Sequence, residues 1–184
     1  RKYFKQISLS EIETLLQDPI HEHRLTALFM LTYKYETDRN DEKTAMVDLY
    51  LRNTGYINNW DLVDSSAHKI LGNYFFDKDR STLMKLAESN NLWEQRIAVI
   101  ATFYFIGKRQ FDDALKIATV LLNHPHDLIH KAVGWMLREV GKRDYETAYQ
   151  FLKEHYHDMP RTMLRYAIEK LSEPVRQAFL KGTI

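Results

Sequence analysis

The chain has 184 residues, of which 45% are hydrophobic and 28% are charged, which is enough for one domain with a buried core. It contains no cysteine, which excludes disulfide frameworks, thiolate metal sites and cysteine nucleophiles. The net charge is only +1, so the overall charge neither requires nor excludes a nucleic-acid partner, and the positions of individual charges must decide.

Helix-start signals along the chain predict an all-α protein. Each proline lies just before or within the first turn of a predicted helix, where its missing N–H group costs nothing. These prolines are Pro19, Pro125, Pro160 and Pro174. Ser10 and Glu13 fit a capping box, and Asn59 and Asn91 fit N-caps. The predicted helices cover residues 9–17, 21–36, 42–54, 60–75, 79–89, 92–106, 111–122, 127–141, 144–156, 160–171 and 174–181. No segment shows the sustained alternation that predicts a strand.

The predicted helices also repeat at a nearly constant spacing. A basic residue followed by an apolar helical run recurs at Arg24, Arg96, Lys131 and Arg165, with spacings of 72, 35 and 34 residues. The first spacing equals two periods. A period near 35 with two helices in each unit predicts a solenoid of the HEAT or TPR kind. We expect a single domain, residues 1–184, of about five antiparallel helix pairs with a curved, concave surface.

The predicted helix 60–75 places a carboxylate beside an indole. Trp60 and Asp64 are four residues apart, so they share a helix face, with His68 one turn further on. Trp60 lies at the edge of the apolar stripe and Asp64 just beyond it. Asp64 is therefore a candidate catalytic group, although the spacing alone is weak evidence. Asp61, in the first turn, is more simply interpreted as a partner of the helix dipole.

The predicted helix 92–106 is apolar on nearly all sides, so it must be buried among neighbouring helices. Arg96 is the one charge in its apolar turn. A buried arginine requires an acid or a phosphate as its partner. The sequence leaves both a structural ion pair and a phosphate contact open for Arg96.

The predicted helix 127–141 has a polar face that contains an indole. At 100° per residue, Lys131, Trp135 and Arg138 lie roughly opposite the apolar face. One interpretation is packing on a neighbouring repeat or a surface cation–π pair. The other is an aromatic platform for a ligand with an anionic backbone, as in nucleic-acid grooves.

The predicted helix 160–171 continues this basic face. Arg161 and Arg165 lie one turn apart, opposite the core residues. Taken alone, the helix fits a solvated face with an Arg165–Glu169 pair. However, the equivalent faces of successive solenoid repeats line one surface. With the cations of the preceding repeat, the two arginines therefore predict a basic stripe that follows a phosphate backbone.

The sequence gives little support for a metal, a cofactor or a membrane span. Most of the histidines lie near turns, and the HExxH spacing of zinc peptidases is absent. A P-loop, a GxGxxG turn and a GxSxG elbow are also absent. No apolar run approaches the roughly 20 residues that span a bilayer. We therefore expect no metal, no cofactor and no membrane partner.

Four segments of the sequence form a recognisable set: Asn59–Asp64 (NWDLVD), Leu92–Ala98 (LWEQRIA), Lys131–Glu139 (KAVGWMLRE) and Met159–Leu171 (MPRTMLRYAIEKL). Together they resemble the AlkD-like family of DNA alkylation repair proteins. The segments follow the family's order over nearly the whole chain. The resemblance implies a HEAT-like solenoid that wraps duplex DNA and removes N3- and N7-alkylated purines. It assigns Trp60, Asp64 and Trp135 to the catalytic cluster, and Arg96 to the arginine that contacts the DNA backbone near the lesion.

Two departures from the family pattern keep other functions open. From the resemblance we expect the family's first helices to be absent or reduced here, and its paired arginines after the tryptophan are represented by Gln95 and Arg96. A non-catalytic protein that binds duplex DNA is therefore an alternative. A protein-binding HEAT scaffold is a further alternative, favoured if acidic residues interrupt the basic stripe in three dimensions.

The chemistry that the resemblance implies requires a single carboxylate. A 3- or 7-alkylpurine is already cationic, so it leaves without a general acid, and Asp64 would stabilise the oxocarbenium-like sugar. The two indoles would hold the sugar, and a nearby arginine is expected to lower the pKa of Asp64 and keep it ionised. The expected substrate is alkylated duplex DNA, and the expected protein is a cytoplasmic monomer that acts at the bacterial nucleoid.

Overall fold

The structure, a computed structural model, describes residues 6–38 and 42–184. Within these ranges it contains eleven α-helices and no β-strand. The helices are α1 (Leu9–Leu16), α2 (His21–Thr37), α3 (Lys43–Arg52), α4 (Trp60–Ala67), α5 (Ser81–Ala87), α6 (Leu92–Gly107), α7 (Asp112–Val120), α8 (Asp127–Gly141), α9 (Tyr145–His155), α10 (Arg161–Ala167) and α11 (Glu173–Lys181). The prediction of an all-α chain is confirmed.

The even-numbered helices from α2 to α10 pack side by side, and we call them the inner row. Each of them contacts the next along the chain, while α1, α5, α7 and α9 pack against the row from the other side. From α4 to α10 the inner helices begin at Trp60, Leu92, Asp127 and Arg161, which gives spacings of 32, 35 and 34 residues. The predicted repeat is thus present, and the fold is a HEAT-like α-solenoid.

The central helix α6 is buried as its composition predicts. Every residue from Arg96 to Thr102 is buried, because α6 packs against α4, α5, α7 and α8. None of the helices in the described part of the chain is long and apolar enough to cross a bilayer.

Two glycines allow neighbouring inner helices to approach closely. A side chain at Gly72 would collide with the backbone carbonyl of Ala101. A side chain at Gly134 would collide in the same way with the carbonyl of Met163 and with the Cβ atom of Tyr166. The same contact thus occurs where α4 meets α6 and where α8 meets α10, as expected of repeated units.

The start of α1 and the end of α4 differ from the prediction. Ser8, not Ser10, caps α1: its hydroxyl accepts the Glu11 N–H, while the Glu11 carboxylate accepts the Ser8 N–H at 2.7 Å. Glu13 instead accepts hydrogen bonds from Arg52 and Asn53 on and after α3. Helix α4 continues past Ala67 as a π-helical turn, His68–Gly72, which changes the direction of the side chains that follow.

Candidate active site

A cleft of about 400 Å³ opens on the inner row between α4, α6, α8 and α10. It is lined by Trp60, Asp64, Arg96, Leu128, Lys131, Trp135, Arg138 and Tyr166. The structure therefore brings together the three predicted catalytic residues and three of the five predicted DNA-binding residues. Arg161 and Arg165 do not line it.

The floor of the cleft is an ion pair between α4 and α6. The Arg96 guanidinium donates to both carboxylate oxygens of Asp64, with Nε–Oδ1 at 2.9 Å and Nη2–Oδ2 at 2.8 Å. Its Nη1 donates to the backbone carbonyl of Leu128 in the first turn of α8. Arg96 is only 5% exposed. Of the two partners that the sequence left open for this arginine, the structure shows the acid.

Two opposing effects act on the protonation of Asp64. Burial raises its pKa above the ordinary value, while the hydrogen bonds and charge of Arg96 lower it, and the nearby charge of Asp61 raises it again. Arg96 thus lowers the pKa of Asp64 as expected, but burial outweighs this effect and the net direction is upward. The reason is that forming the cleft removes water from the carboxylate. Its ionised state therefore depends on the arginine beside it.

The two indoles differ in how firmly they are held. Trp60 begins α4 directly after the Asn59 cap and is 54% exposed at the rim of the cleft. Trp135 is half-buried, and its ring lies 5.8 Å from that of Phe103 on α6, at an angle of 42°. The packing interpretation of Trp135 is therefore confirmed. Its ring also lines the cleft, where its role as a platform for a ligand stays a prediction.

The predicted basic stripe is interrupted by acids. Lys131 pairs with Asp127 at 2.7 Å, and both side chains are well exposed. Arg138 pairs with Glu169 across the boundary between α8 and α10. The Arg165–Glu169 pair suggested by the sequence is absent from the ion pairs of the described residues, since Glu169 pairs instead with Arg138 and Lys170.

The two arginines of α10 lie outside the cleft. Arg161 is exposed, and its guanidinium donates to the backbone carbonyl of Leu180 at 3.0 Å. Arg165 is exposed and makes no hydrogen bond or ion pair within the described part of the chain. The next residue, Tyr166, is the one that faces the cleft, and sequence reasoning missed it. The sequence signal for Tyr166 is its spacing. It lies 32 residues after Gly134 on α8, and the same spacing separates Asp64 and Arg96, which contact each other across two neighbouring inner helices.

His68 does not share the cleft with Asp64, contrary to the expectation from helical spacing. The π-helical turn begins at His68, and the imidazole packs edge-on against Phe103 at 5.4 Å. Burial and the nearby Lys69 lower its pKa. His68 is therefore a poor donor to a leaving base in the cleft.

Two other histidines act at the start of α8. His126 caps α8 by accepting the Leu128 N–H, and His124 accepts the His126 N–H. Within residues 6–38 and 42–184, no group of three or more His, Asp or Glu side chains could hold a metal ion.

Fold and site together define a class of protein: a HEAT-like solenoid whose inner helices hold one carboxylate between two indoles. The family described as DNA alkylation repair enzyme matches residues 1–171 of the chain. The protein belongs to this DNA alkylation repair enzyme family.

A solved structure has the same fold. The structure titled "Predicted DNA alkylation repair enzyme from Enterococcus faecalis" is similar with a TM-score of 0.71 and 20% sequence identity. The alignment covers 94% of this chain and 80% of that one. A search of curated proteins gives no match.

Proposed function

We propose that this protein binds duplex DNA and hydrolyses the N-glycosidic bond of cationic N3- and N7-alkylated purines. The observation that carries the proposal is the Asp64 carboxylate, fixed by two hydrogen bonds from Arg96 in a cleft that Trp60 and Trp135 line. The cleft volume of about 400 Å³ lies within the range of roughly 300–1,000 Å³ that is typical of small-ligand sites.

The residues of the cleft match the charge that develops during this reaction. A purine alkylated at N3 or N7 carries a positive charge, so it leaves as a neutral base without a general acid. The sugar then becomes oxocarbenium-like, and a fixed carboxylate stabilises that charge. The indole faces of Trp60 and Trp135 attract cationic groups and exclude water.

Arg96 acts through Asp64. A carboxylate has about four lone-pair positions, and Arg96 occupies one on each oxygen. The remaining positions are free to face a sugar or to orient a water molecule. By tying α4, α6 and α8 together, Arg96 fixes the plane of the carboxylate, and it is a positioning residue in this proposal.

The interrupted basic stripe favours a second candidate, a scaffold that binds proteins. Lys131 and Arg138 each face an acid, which reduces the positive potential along the inner row. A phosphate could displace both acids, since Asp127 and Glu169 are about half exposed. Base release separates the two candidates.

The test is release of 7-methylguanine and 3-methyladenine from methylated duplex DNA. The matched variants are Asp64→Asn and Asp61→Asn, which remove one negative charge each from the same helix. Asp61 pairs with His21 at 2.8 Å and does not line the cleft. We expect base release by the wild type and by Asp61→Asn, but not by Asp64→Asn. No release by the wild type contradicts the glycosylase proposal.

A further inference from the structure

A second pocket of about 230 Å³ lies on the inner row, between α2, the π-helical turn after α4, and α6. It shares no lining residue with the cleft. Its walls carry polar side chains of three successive inner helices, chiefly Tyr35, Lys69, Asn73 and Tyr104. Neither the family match nor the glycosylase proposal uses it.

A chain of hydrogen bonds fixes the back of this pocket. The Tyr35 hydroxyl donates to Asn73 Oδ1 at 2.8 Å, and Asn73 Nδ2 donates to the Tyr104 hydroxyl at 2.8 Å. The Tyr104 oxygen therefore acts as an acceptor, and its own proton is free for a further partner. Within the described residues that proton has none, so the pocket holds one spare O–H donor in a fixed position.

The charge of the pocket is positive. Lys43 and Lys69 line it, and neither forms an ion pair within residues 6–38 and 42–184. The Lys43 ammonium lies 5.0 Å from the centre of the Tyr35 ring, which keeps it at the pocket edge. Glu36 is the carboxylate among the lining residues, so two positive charges face one negative charge. Two ammonium groups and a hydroxyl donor suit an anion with several oxygens.

The pocket lies towards the C-terminal end of the same continuous helix that carries Asp64. Asn73 follows Asp64 by nine positions, which corresponds to roughly 13 Å of helix rise. This distance is comparable with a few phosphate spacings of a DNA strand, which advances by about 3.4 Å per phosphate along its axis. The π-helical turn between the two residues directs Asn73 into the pocket, and π-helical turns are frequent at functional sites.

We propose that this pocket binds a backbone phosphate of the same DNA duplex, through Lys43, Lys69 and the Tyr104 hydroxyl. The inference rests on the proposed function. A phosphate contact of this kind fixes the register of the protein on the duplex without reading sequence. The bound group is a phosphate, and its source is the DNA strand rather than a free phosphate ion or monoester.

The experiment compares two double variants of equal charge. Lys43→Ala with Lys69→Ala removes the two ammonium groups of the pocket. Lys116→Ala with Lys153→Ala removes two exposed lysines from α7 and α9, on the opposite side of the solenoid. Duplex affinity is measured at several salt concentrations for both, and for Tyr104→Phe, which removes only the hydroxyl.

We expect the pocket variant, Lys43→Ala with Lys69→Ala, to bind duplex DNA of every sequence more weakly than the wild type does. Its salt slope, which is the slope of log affinity against log salt concentration, should be flatter by about one unit, while the control double variant keeps the wild-type slope. Tyr104→Phe should weaken binding with an unchanged slope. Equal slopes for the two double variants, with a wild type that binds DNA, overturn the inference and leave the proposed function intact. A wild type that binds no duplex overturns both.

A second arm tests the source of the phosphate. Inorganic phosphate is added to the wild type, and the NMR signals of His68 and Tyr104 are followed. If free phosphate saturates the pocket while the pocket variant keeps the wild-type salt slope on DNA, the site belongs to a free phosphate and the inference is wrong. If phosphate competes with DNA for the pocket, the inference is supported.

Discussion

Asp64 and Arg96 lie 32 residues apart in the chain, yet two hydrogen bonds of 2.9 and 2.8 Å join them at the floor of the cleft. The same offset separates Arg96 from the Leu128 carbonyl to which it donates. One arginine therefore connects three successive inner helices. The pair makes the carboxylate rigid, and it also makes the charge of Asp64 dependent on Arg96.

Replacing Arg96 by alanine should destabilise the fold, because it leaves Asp64 largely buried without a partner. We expect the free energy of unfolding to fall by about 3 kcal/mol and the pKa of Asp64 to rise further. Urea denaturation measures the first effect, and NMR titration measures the second. Arg176→Ala is the control, since the Arg176–Glu173 pair is exposed and should contribute less than about 1 kcal/mol. Equal losses for the two variants would show that the buried pair has no special role.

Glu169→Gln should strengthen the binding of duplex DNA. Glu169 neutralises Arg138, which lines the cleft, so removing the acid frees a guanidinium for a phosphate. We expect affinity to rise roughly two- to fivefold. Glu154→Gln removes an equal charge from the exposed outer helix α9. If both variants gain the same affinity, the effect is one of net charge, and the ion pair does not restrain Arg138.

Gly134→Ala should disturb the contact between α8 and α10. The new Cβ atom would collide with the Met163 carbonyl and with Tyr166, both on the neighbouring helix. We expect a loss of about 2 kcal/mol or more in a thermal or urea unfolding experiment. Gly107→Ala, where no atom lies within 4 Å of the added Cβ, should be neutral or stabilising by up to about 1 kcal/mol. Similar behaviour of the two variants contradicts this close packing.

Part of the resistance to acid should come from Glu13. Hydrogen bonds from Arg52 and Asn53 lower the pKa of Glu13 from its ordinary 4.5 to about 2. Because the folded pKa is lowered, this stabilisation is fully present above pH 4.5 and is lost as the pH falls towards 2. Glu13→Gln should flatten the fall in unfolding free energy across that window. The control variant Glu154→Gln should leave the fall in unfolding free energy as steep as in the wild type. An unchanged curve for Glu13→Gln would mean that the three side chains separate in solution.

Features that depend on one helix could be predicted from the sequence. The starts of six helices (α2, α4, α6, α8, α10 and α11) follow from proline and asparagine positions. The separation of Trp135 from the α8 core follows from 100° spacing. The proposed catalytic cluster and the family were inferred from the resemblance of four segments.

Features that depend on contacts between helices could not be predicted in this way. Helical spacing suggested that Glu169 pairs with Arg165. Because α10 packs on α8, Glu169 instead forms its ion pair with Arg138. The same packing turns Tyr166 towards the cleft. The spacing rule also assumed an ordinary α-helix after Asp64, whereas the π-helical turn redirects His68. Desolvation of Asp64 likewise arises only when four helices close around it.

We propose that the cleft releases a base that is already cationic, because Arg96 favours the ionised form of the fixed Asp64 carboxylate, which then stabilises positive charge instead of supplying a proton. The most direct measurement is base release from three matched duplexes, containing 7-methylguanine, uracil or hypoxanthine. We expect release of 7-methylguanine alone, and loss of that release in Asp64→Asn. Release of uracil or hypoxanthine would contradict this proposal, because a neutral base must either be protonated as it leaves or depart as an anion.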